Sequence, residues 1–431
     1  MSCSPITSLS EDQLRSLEAQ LSEEFLAYKA KGLSLNMARG KPSNEQLNLS
    51  LPLLDAINSS SSLFAEDGTD CRNYGVLDGL PEAKRLMAAM VDESPENVFV
   101  MGASSLNAMY DTIARCLDFG TVDSDVPWCQ LENVSWICPV PGYDRHFSIC
   151  EAFGITMIPV PMNSDGPDMD EVERIAASSD NVKGIWCVPK YSNPGGITYS
   201  DTVVRRLASM KAAPDFRIFW DNAYCVHHLY DSPSDQDTLL DIGVACREAG
   251  NPDRYFKFAS TSKVTLPGAG ISAFACSKRN MDETKRRMTV QTIGFDKINQ
   301  LRHVAFLKDA EGIAEHMKKH AALLRPKFQL VLEKLDEALS GSGIATWQKP
   351  RGGYFVSFDA MEGTAKQVVA MAKEAGVTMT NAGATWPYGK DPHDSNIRIA
   401  PTLPPLEELS VALDVFVCCV KLAAVRKLLG E

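Results

Sequence analysis

Leu14, Leu17, Leu21 and Phe25 repeat at three- and four-residue intervals through an otherwise polar stretch that ends at Gly32. That interval puts all four on one face of a helix, and Ser10 with Gln13 supplies a capping box at its start. The pattern predicts an amphipathic opening helix. From about residue 80, short apolar runs ("VFVMG", "WICPV", "GIWCVP", "RIFWD", "FKFAS", "ISAFACS") alternate with helical segments such as "SLNAMYDTIARCL", "MDEVERIAAS" and "VVRRLASM". Strand and helix in turn imply right-handed βαβ crossovers and a mainly parallel sheet, whose strand C-termini are where such folds bind ligands. The rhythm changes after residue 295: a long helical region, about 297–340, leads into "GGYFVSFD", the helix "TAKQVVAMAKEAG", "NIRIAP" and a closing helix from Pro405 towards Leu429. The expectation is an α/β chain in two parts: a large domain over residues 51–300 with a mainly parallel central sheet, and a smaller α+β domain formed by both termini, residues 1–50 and 301–431. The sequence shows no internal repeat and no low-complexity linker.

Composition narrows the partners more than the fold. Among 431 residues, 45% are apolar and 23% charged, the balance of a chain with a packed core. A formal net charge of -12 argues against a phosphate-backbone footprint, so no nucleic-acid partner is expected. The twelve cysteines form no CxxC pair, which fits reduced thiols in a cytoplasm better than a disulfide scaffold. No apolar run reaches membrane-spanning length and the first residues lack a signal-peptide pattern, so neither membrane nor secretion is expected. His227 and His228 are adjacent, but no carboxylate or cysteine cluster completes a ligand set, and no metal site is expected.

Candidate chemistry collects at the ends of predicted strands. Asn193, Pro194, Gly195 and Gly196 follow "GIWCVP", Asp221 ends "RIFWD" with Tyr224 three residues on, and Lys263 follows "FKFAS" behind the hydroxyls of Ser260, Thr261 and Ser262. Taken singly, Asn-Pro-Gly-Gly is turn chemistry and a strand-terminal Asp is a helix cap. Together, an amide, a carboxylate, a phenol and a lysine on one rim suit pyridoxal 5'-phosphate (PLP). Its aldehyde needs an amine, its ring nitrogen an anionic partner and its phenolic oxygen donors. Gly102, Ala103, Ser104 and Ser105 lie between a short strand and a helix, where amide N–H groups and hydroxyls can hold an anion such as the phosphate.

In their order along the chain, the N-P-G-G, D-x-A-Y and S-x-S-K segments resemble those of fold-type I PLP-dependent aminotransferases, and most of all the aspartate aminotransferases of subgroup Ic. The resemblance covers nearly the whole chain. It implies that Lys263 forms a Schiff base with the cofactor and serves as general acid/base. It also implies that Asp221 pairs with the pyridine nitrogen, that Asn193 and Tyr224 contact the phenolic oxygen, and that Tyr143 in "PVPGYDRHF" stacks on the ring. Tyr74 in "RNYGVLDGLPEAKRLM" matches a tyrosine that reaches the phosphate of a neighbouring subunit, which implies a homodimer with shared sites. Arg398 in "NIRIAP" matches the arginine that forks onto the substrate α-carboxylate beside Asn193. "ARGKP" resembles the segment that closes over substrate, with Gly40 at its turn and Arg39 a candidate for a distal carboxylate. One departure stands out: the phosphate-gripping arginine of the common pattern is Ile271 here, which leaves Ser104, Ser260 and Ser262, or Lys297 of a second copy, as substitutes.

The implied reaction is amino-group transfer from an amino acid, with aspartate the best match, to a 2-oxo acid such as 2-oxoglutarate, by ping-pong kinetics. Two alternatives stay open. A PLP-dependent lyase or decarboxylase would use the same cofactor. A ligand-sensing regulator would need a DNA-binding module, for which about 30 residues ahead of "ARGKP" leave little room.

Overall fold

The computed structural model describes residues 5–431. Among them, eight strands form the large sheet: β1 (Val98–Met101), β2 (Ser135–Val140), β3 (Thr156–Asn163), β4 (Gly166–Pro167), β5 (Val182–Cys187), β6 (Arg217–Asp221), β7 (Tyr255–Ser260) and β8 (Ser272–Cys276). Their order across the sheet is β1-β8-β7-β6-β5-β2-β3-β4. The run from β7 to β3 is parallel, as the strand–helix alternation predicts, while β8 is antiparallel to both of its neighbours. The reason lies in the connection. Only residues 261–271 join β7 to β8, too few for a helical crossover, so the chain turns straight back. That short return carries Lys263.

Register brings the chemistry to one edge. Asp221 pairs with Phe258, Ser260 with Ser272, and Ser272 in turn with Met101, so the ends of β6, β7 and β1 share a rim. Helices cover both faces, and β1, β2 and β5 to β8 are buried along their length, whereas β3, near the edge of the sheet, exposes several residues.

The opening helix runs Glu11–Ala30 with both bonds of the Ser10/Gln13 capping box in place. Leu14, Leu21 and Phe25 pack into a core shared with the long helix Ala310–Leu339 and the closing helix Leu406–Leu429. A second sheet, β9 (Ala345–Trp347), β10 (Val356–Ala360) and β11 (Asn396–Ile399), is antiparallel and belongs to the same core. The helical region expected over 297–340 is two helices, Lys297–Leu307 and Ala310–Leu339. Lys308 between them has φ 67, and Asp309 caps the second helix by accepting from the Gly312 N–H at 2.9 Å. No described helix is long and apolar enough to cross a membrane.

Under the large sheet, Phe219 meets Trp136 and Trp186 edge to face, the two indoles are tilted at 44°, and Trp136 lies against Gly184 in β5. A methyl group on Gly184 would stand 2.4 Å from the Trp136 ring and 2.7 Å from the Arg217 carbonyl. Gly184→Ala is therefore expected to cost about 1–3 kcal/mol of stability through overpacking, read as a lower midpoint of urea unfolding; an unchanged midpoint would show that the indole has room to withdraw.

Candidate active site

Lys263 lies in the turn just beyond β7, half-buried, with its ammonium 4.8 Å from the centre of the Tyr224 ring. Burial pulls its pKa below the usual lysine range, and Asp221 opposes that pull without reversing it. A lysine so placed presents more neutral amine than a solvated one, the form that attacks a carbonyl or takes a proton. Tyr224 is buried, and burial raises its phenol well above the ordinary value, so it stays a protonated donor.

Asp221 is 2% exposed at the end of β6. One carboxylate oxygen, Oδ2, accepts from His146 Nε2 at 3.0 Å, and His146 in turn stacks on Trp186 with centroids 4.4 Å apart. The other, Oδ1, is buried with no partner in the protein. A buried carboxylate oxygen without a donor is costly unless a cationic or N–H group meets it. A protonated pyridine nitrogen supplies that group, so the residues present fit PLP. Tyr143, at the start of the helix Asp144–Ala152, packs edge-on to His146 at 5.0 Å.

Arg398 reaches the rim from β11, 7% exposed, with its guanidinium over the Phe355 ring at 4.7 Å. Its Nη1 donates to Asn193 Oδ1 (3.2 Å) and to Asp144 Oδ1 (3.0 Å), and its Nη2 to Thr380 Oγ1 (3.4 Å). Thr380 donates its own hydroxyl to the Ala38 carbonyl at 2.6 Å, which ties the "ARGKP" segment to the arginine. Gly40 lies so close to Phe355 that a Cβ would stand 2.4 Å from the ring, so a glycine is required there. These groups surround a cavity of about 410 Å³. Its lining holds five cationic side chains, Arg39, Lys41, Arg145, Lys263 and Arg398, against a single described carboxylate, Asp144.

Beside it, Ser262 donates to the Ala103 carbonyl (3.1 Å), Ser260 to Ser262 (3.1 Å) and Ser272 to the Gly102 carbonyl (2.7 Å). Ser104 caps the helix Ser105–Phe119 by accepting from the Leu106 N–H at 3.1 Å. The expected anion-binding residues thus meet at one helix N-terminus, next to Lys263. Ile271 is buried and exchanges bonds with Thr261, so position 271 faces the core. Lys297 Nζ donates to the Gly75 carbonyl at 3.0 Å, which anchors the loop bearing Tyr74. Tyr74 itself is 84% exposed and lies outside the cavity lining. His146, Asp144, Arg145, Phe355 and Thr380 went unread in the sequence; only His146 left a signal, one helical turn beyond Tyr143.

A family model for aspartate aminotransferase matches residues 9–431. The chain belongs to that family. This aminotransferase is 49% identical over 405 residues to the aspartate aminotransferase of Corynebacterium glutamicum, covering 94% of this chain and 93% of that protein. The crystal structure of an aspartate transaminase from the same species superposes with a TM-score of 0.95 at 46% identity, over 99% of this chain and 100% of that one. The α-aminoadipate aminotransferase of Thermus thermophilus, complexed with N-(5'-phosphopyridoxyl)-L-leucine, shares the fold at 20% identity, with a TM-score of 0.72 over 94% of this chain and 95% of that one. The fold is therefore that of the fold-type I PLP transferases, and the chain is an enzyme of the aminotransferase class.

In this aminotransferase a collar of buried histidines surrounds the turn that carries the lysine. His227 Nε2 donates to the Lys263 carbonyl (3.2 Å) and His316 Nε2 to the Val264 carbonyl (2.8 Å). His320 Nε2 stands 3.2 Å from His316 Nε2, and its Nδ1 accepts from Gln46 Nε2 (3.1 Å). His303 Nδ1 donates to the Asn299 carbonyl (2.8 Å), which leaves Nε2 to accept from the hydroxyls of Thr261 (3.2 Å) and Thr265 (3.0 Å). Burial above all lowers their pKa values, to about 3 for His227 and His320 and to about 4 for His303, with His316 shifted the same way. His228, the other half of the adjacent pair, bonds the Tyr191 hydroxyl at 2.7 Å.

The folded protein takes up these protons only in strong acid, whereas the unfolded chain takes them up near pH ~6.5. Their contribution is thus complete above that value and is lost as the pH falls towards about 4. His320→Gln, which cannot titrate, should therefore show a smaller drop in Tm between about pH 7 and 4.5 than the parent protein; an equal drop would clear the collar of responsibility.

Proposed function

We propose that this aminotransferase binds PLP at Lys263 and moves the amino group of aspartate to a 2-oxo acid, with 2-oxoglutarate as the acceptor, in two half-reactions of a ping-pong cycle. The observation that carries the cofactor reading is the partnerless, buried Oδ1 of Asp221. When bound, PLP supplies an electron sink for negative charge developing at the substrate Cα. Asp221, braced by His146, keeps the ring nitrogen protonated. Tyr224 and Asn193 are the groups for the phenolic oxygen, Tyr143 for the ring face, and the helix N-terminus at Gly102–Ser105 with Ser260 and Ser262 for the phosphate. Lys263, biased towards its neutral amine, would take the proton from the substrate Cα and carry it to the cofactor's aldehyde carbon, while Arg398 would hold the α-carboxylate.

The dicarboxylate substrate is supported by charge. A chain of net charge -12 lines this cavity with four cations besides Lys263, which selects anions and leaves Arg39, Lys41 and Arg145 for a second carboxylate.

We also read the enzyme as a homodimer. Val290 is 92% exposed and Ile293 is also exposed, and Gly294 packs against the Gly75 carbonyl beside the exposed Tyr74. An apolar surface of that kind next to a cofactor-reaching tyrosine suits a second copy. The division into a PLP-binding domain over 51–300 and a small domain from both termini belongs to the same proposal. So does a cytoplasmic location, in keeping with eleven free thiols among the described cysteines.

Mixing the PLP-loaded enzyme with aspartate alone should convert the cofactor absorbance stoichiometrically to that of the pyridoxamine form, and added 2-oxoglutarate should restore it. Continuous consumption of aspartate with no oxo acid present would mean lyase or decarboxylase chemistry. Lys263→Ala should lose roughly 10²-fold or more in turnover while keeping its circular dichroism spectrum; wild-type turnover would remove the lysine from its role.

A further inference from the structure

Arg398 has five N–H donors, and the structure shows which of them are already engaged. Its Nε is buried and has no partner in the protein. The end-on fork that a carboxylate can take in parallel is Nη1 with Nη2. Nη1 has two hydrogens, and both are engaged: one by Asn193 Oδ1 at 3.2 Å, the other by Asp144 Oδ1 at 3.0 Å. Nη2 makes only a long contact of 3.4 Å to Thr380 Oγ1.

Asn193 is a neutral amide that shares the arginine with a carboxylate at no electrostatic cost. Asp144 is different. It is the one carboxylate among the described lining residues, it belongs to a short helix that begins at the cavity wall, and its side chain is one-third exposed, free to swing aside.

We propose that Asp144 is a positioning residue that acts through Arg398: its carboxylate holds Nη1 in the orientation a substrate needs and competes with the substrate α-carboxylate for that donor. Binding then exchanges one Arg398–carboxylate pair for another, so the α-carboxylate gains less affinity than an unoccupied arginine would give. Contacts elsewhere on the substrate, at the cations Arg39, Lys41 and Arg145, carry correspondingly more of the discrimination. The proposal rests on the reading of Arg398 as the α-carboxylate site.

The test is calorimetric titration of the PLP-loaded enzyme with succinate at fixed ionic strength, in Asp144→Asn, Arg398→Lys, the double variant and the parent. Competition predicts that Asp144→Asn tightens succinate binding by roughly three- to tenfold, the scale of a partly exposed charge-assisted bond, and that the gain disappears in the Arg398→Lys background. Asp144→Ser, which keeps a hydroxyl at the start of the helix, is run beside it and should tighten binding as well. Unchanged or weaker binding in both Asp144 variants overturns the competition and leaves the Arg398 assignment standing. Equal tightening with and without Arg398 also overturns it, because the effect would then be a general field. If Arg398→Lys by itself leaves succinate affinity intact, the reading of Arg398 falls first and the proposal with it.

Discussion

A carboxylate buried at the end of a strand has to be satisfied, and the rest of the site is arranged around how Asp221 is satisfied only in part. His146, held flat against Trp186, occupies one oxygen and leaves the other without a donor. An isolated buried charge is expensive, so a site built this way gains stability when a cationic group meets that oxygen. A place for a cationic or N–H group is thus written into the large sheet. The aromatic packing beneath it, Trp136 and Phe219 against Trp186, backs the face on which His146 stacks.

The lysine is positioned by a different device. Its backbone lies in a short return between a parallel and an antiparallel strand, with few ladder bonds of its own. His227, His316 and Tyr354 supply partners for its carbonyls, His303 bonds the hydroxyls of Thr261 and Thr265, and Gln46, from a short helix near the N-terminus, links His320 to Tyr354. The collar joins distant segments of the chain to the turn that carries Lys263. Neutral imidazole suits the task because each ring can donate at one nitrogen and accept at the other, which a lysine or a carboxylate cannot do.

Charge organises the cavity above both. The protein is acidic overall, yet the cavity lining is cationic, and the single carboxylate in it, Asp144, stands on the arginine that matters most. Opposite charges thus stand side by side, Asp144 and Arg145, at the start of one helix.

Much of this was legible in the chain. The 3.6-residue repeat of Leu14, Leu21 and Phe25, the capping box at Ser10, and the apolar runs ending in Asp221 and Ser260 report local rules, which act within one turn or one strand and leave their pattern in sequence. The same holds for Asn193, Tyr224 and Lys263, which sit at fixed offsets from strand ends. His146, Asp144, Phe355 and the histidine collar were not legible, because each acquires its meaning from a partner 36 or more residues away. No periodicity records such a pairing. The sequence by itself determined which strands end in chemistry and that one lysine is framed by hydroxyls. Only the tertiary structure decided which oxygen of Asp221 stays free, which donors of Arg398 are engaged and what holds the lysine's turn, since all three are distances between segments that meet only when the sheet closes.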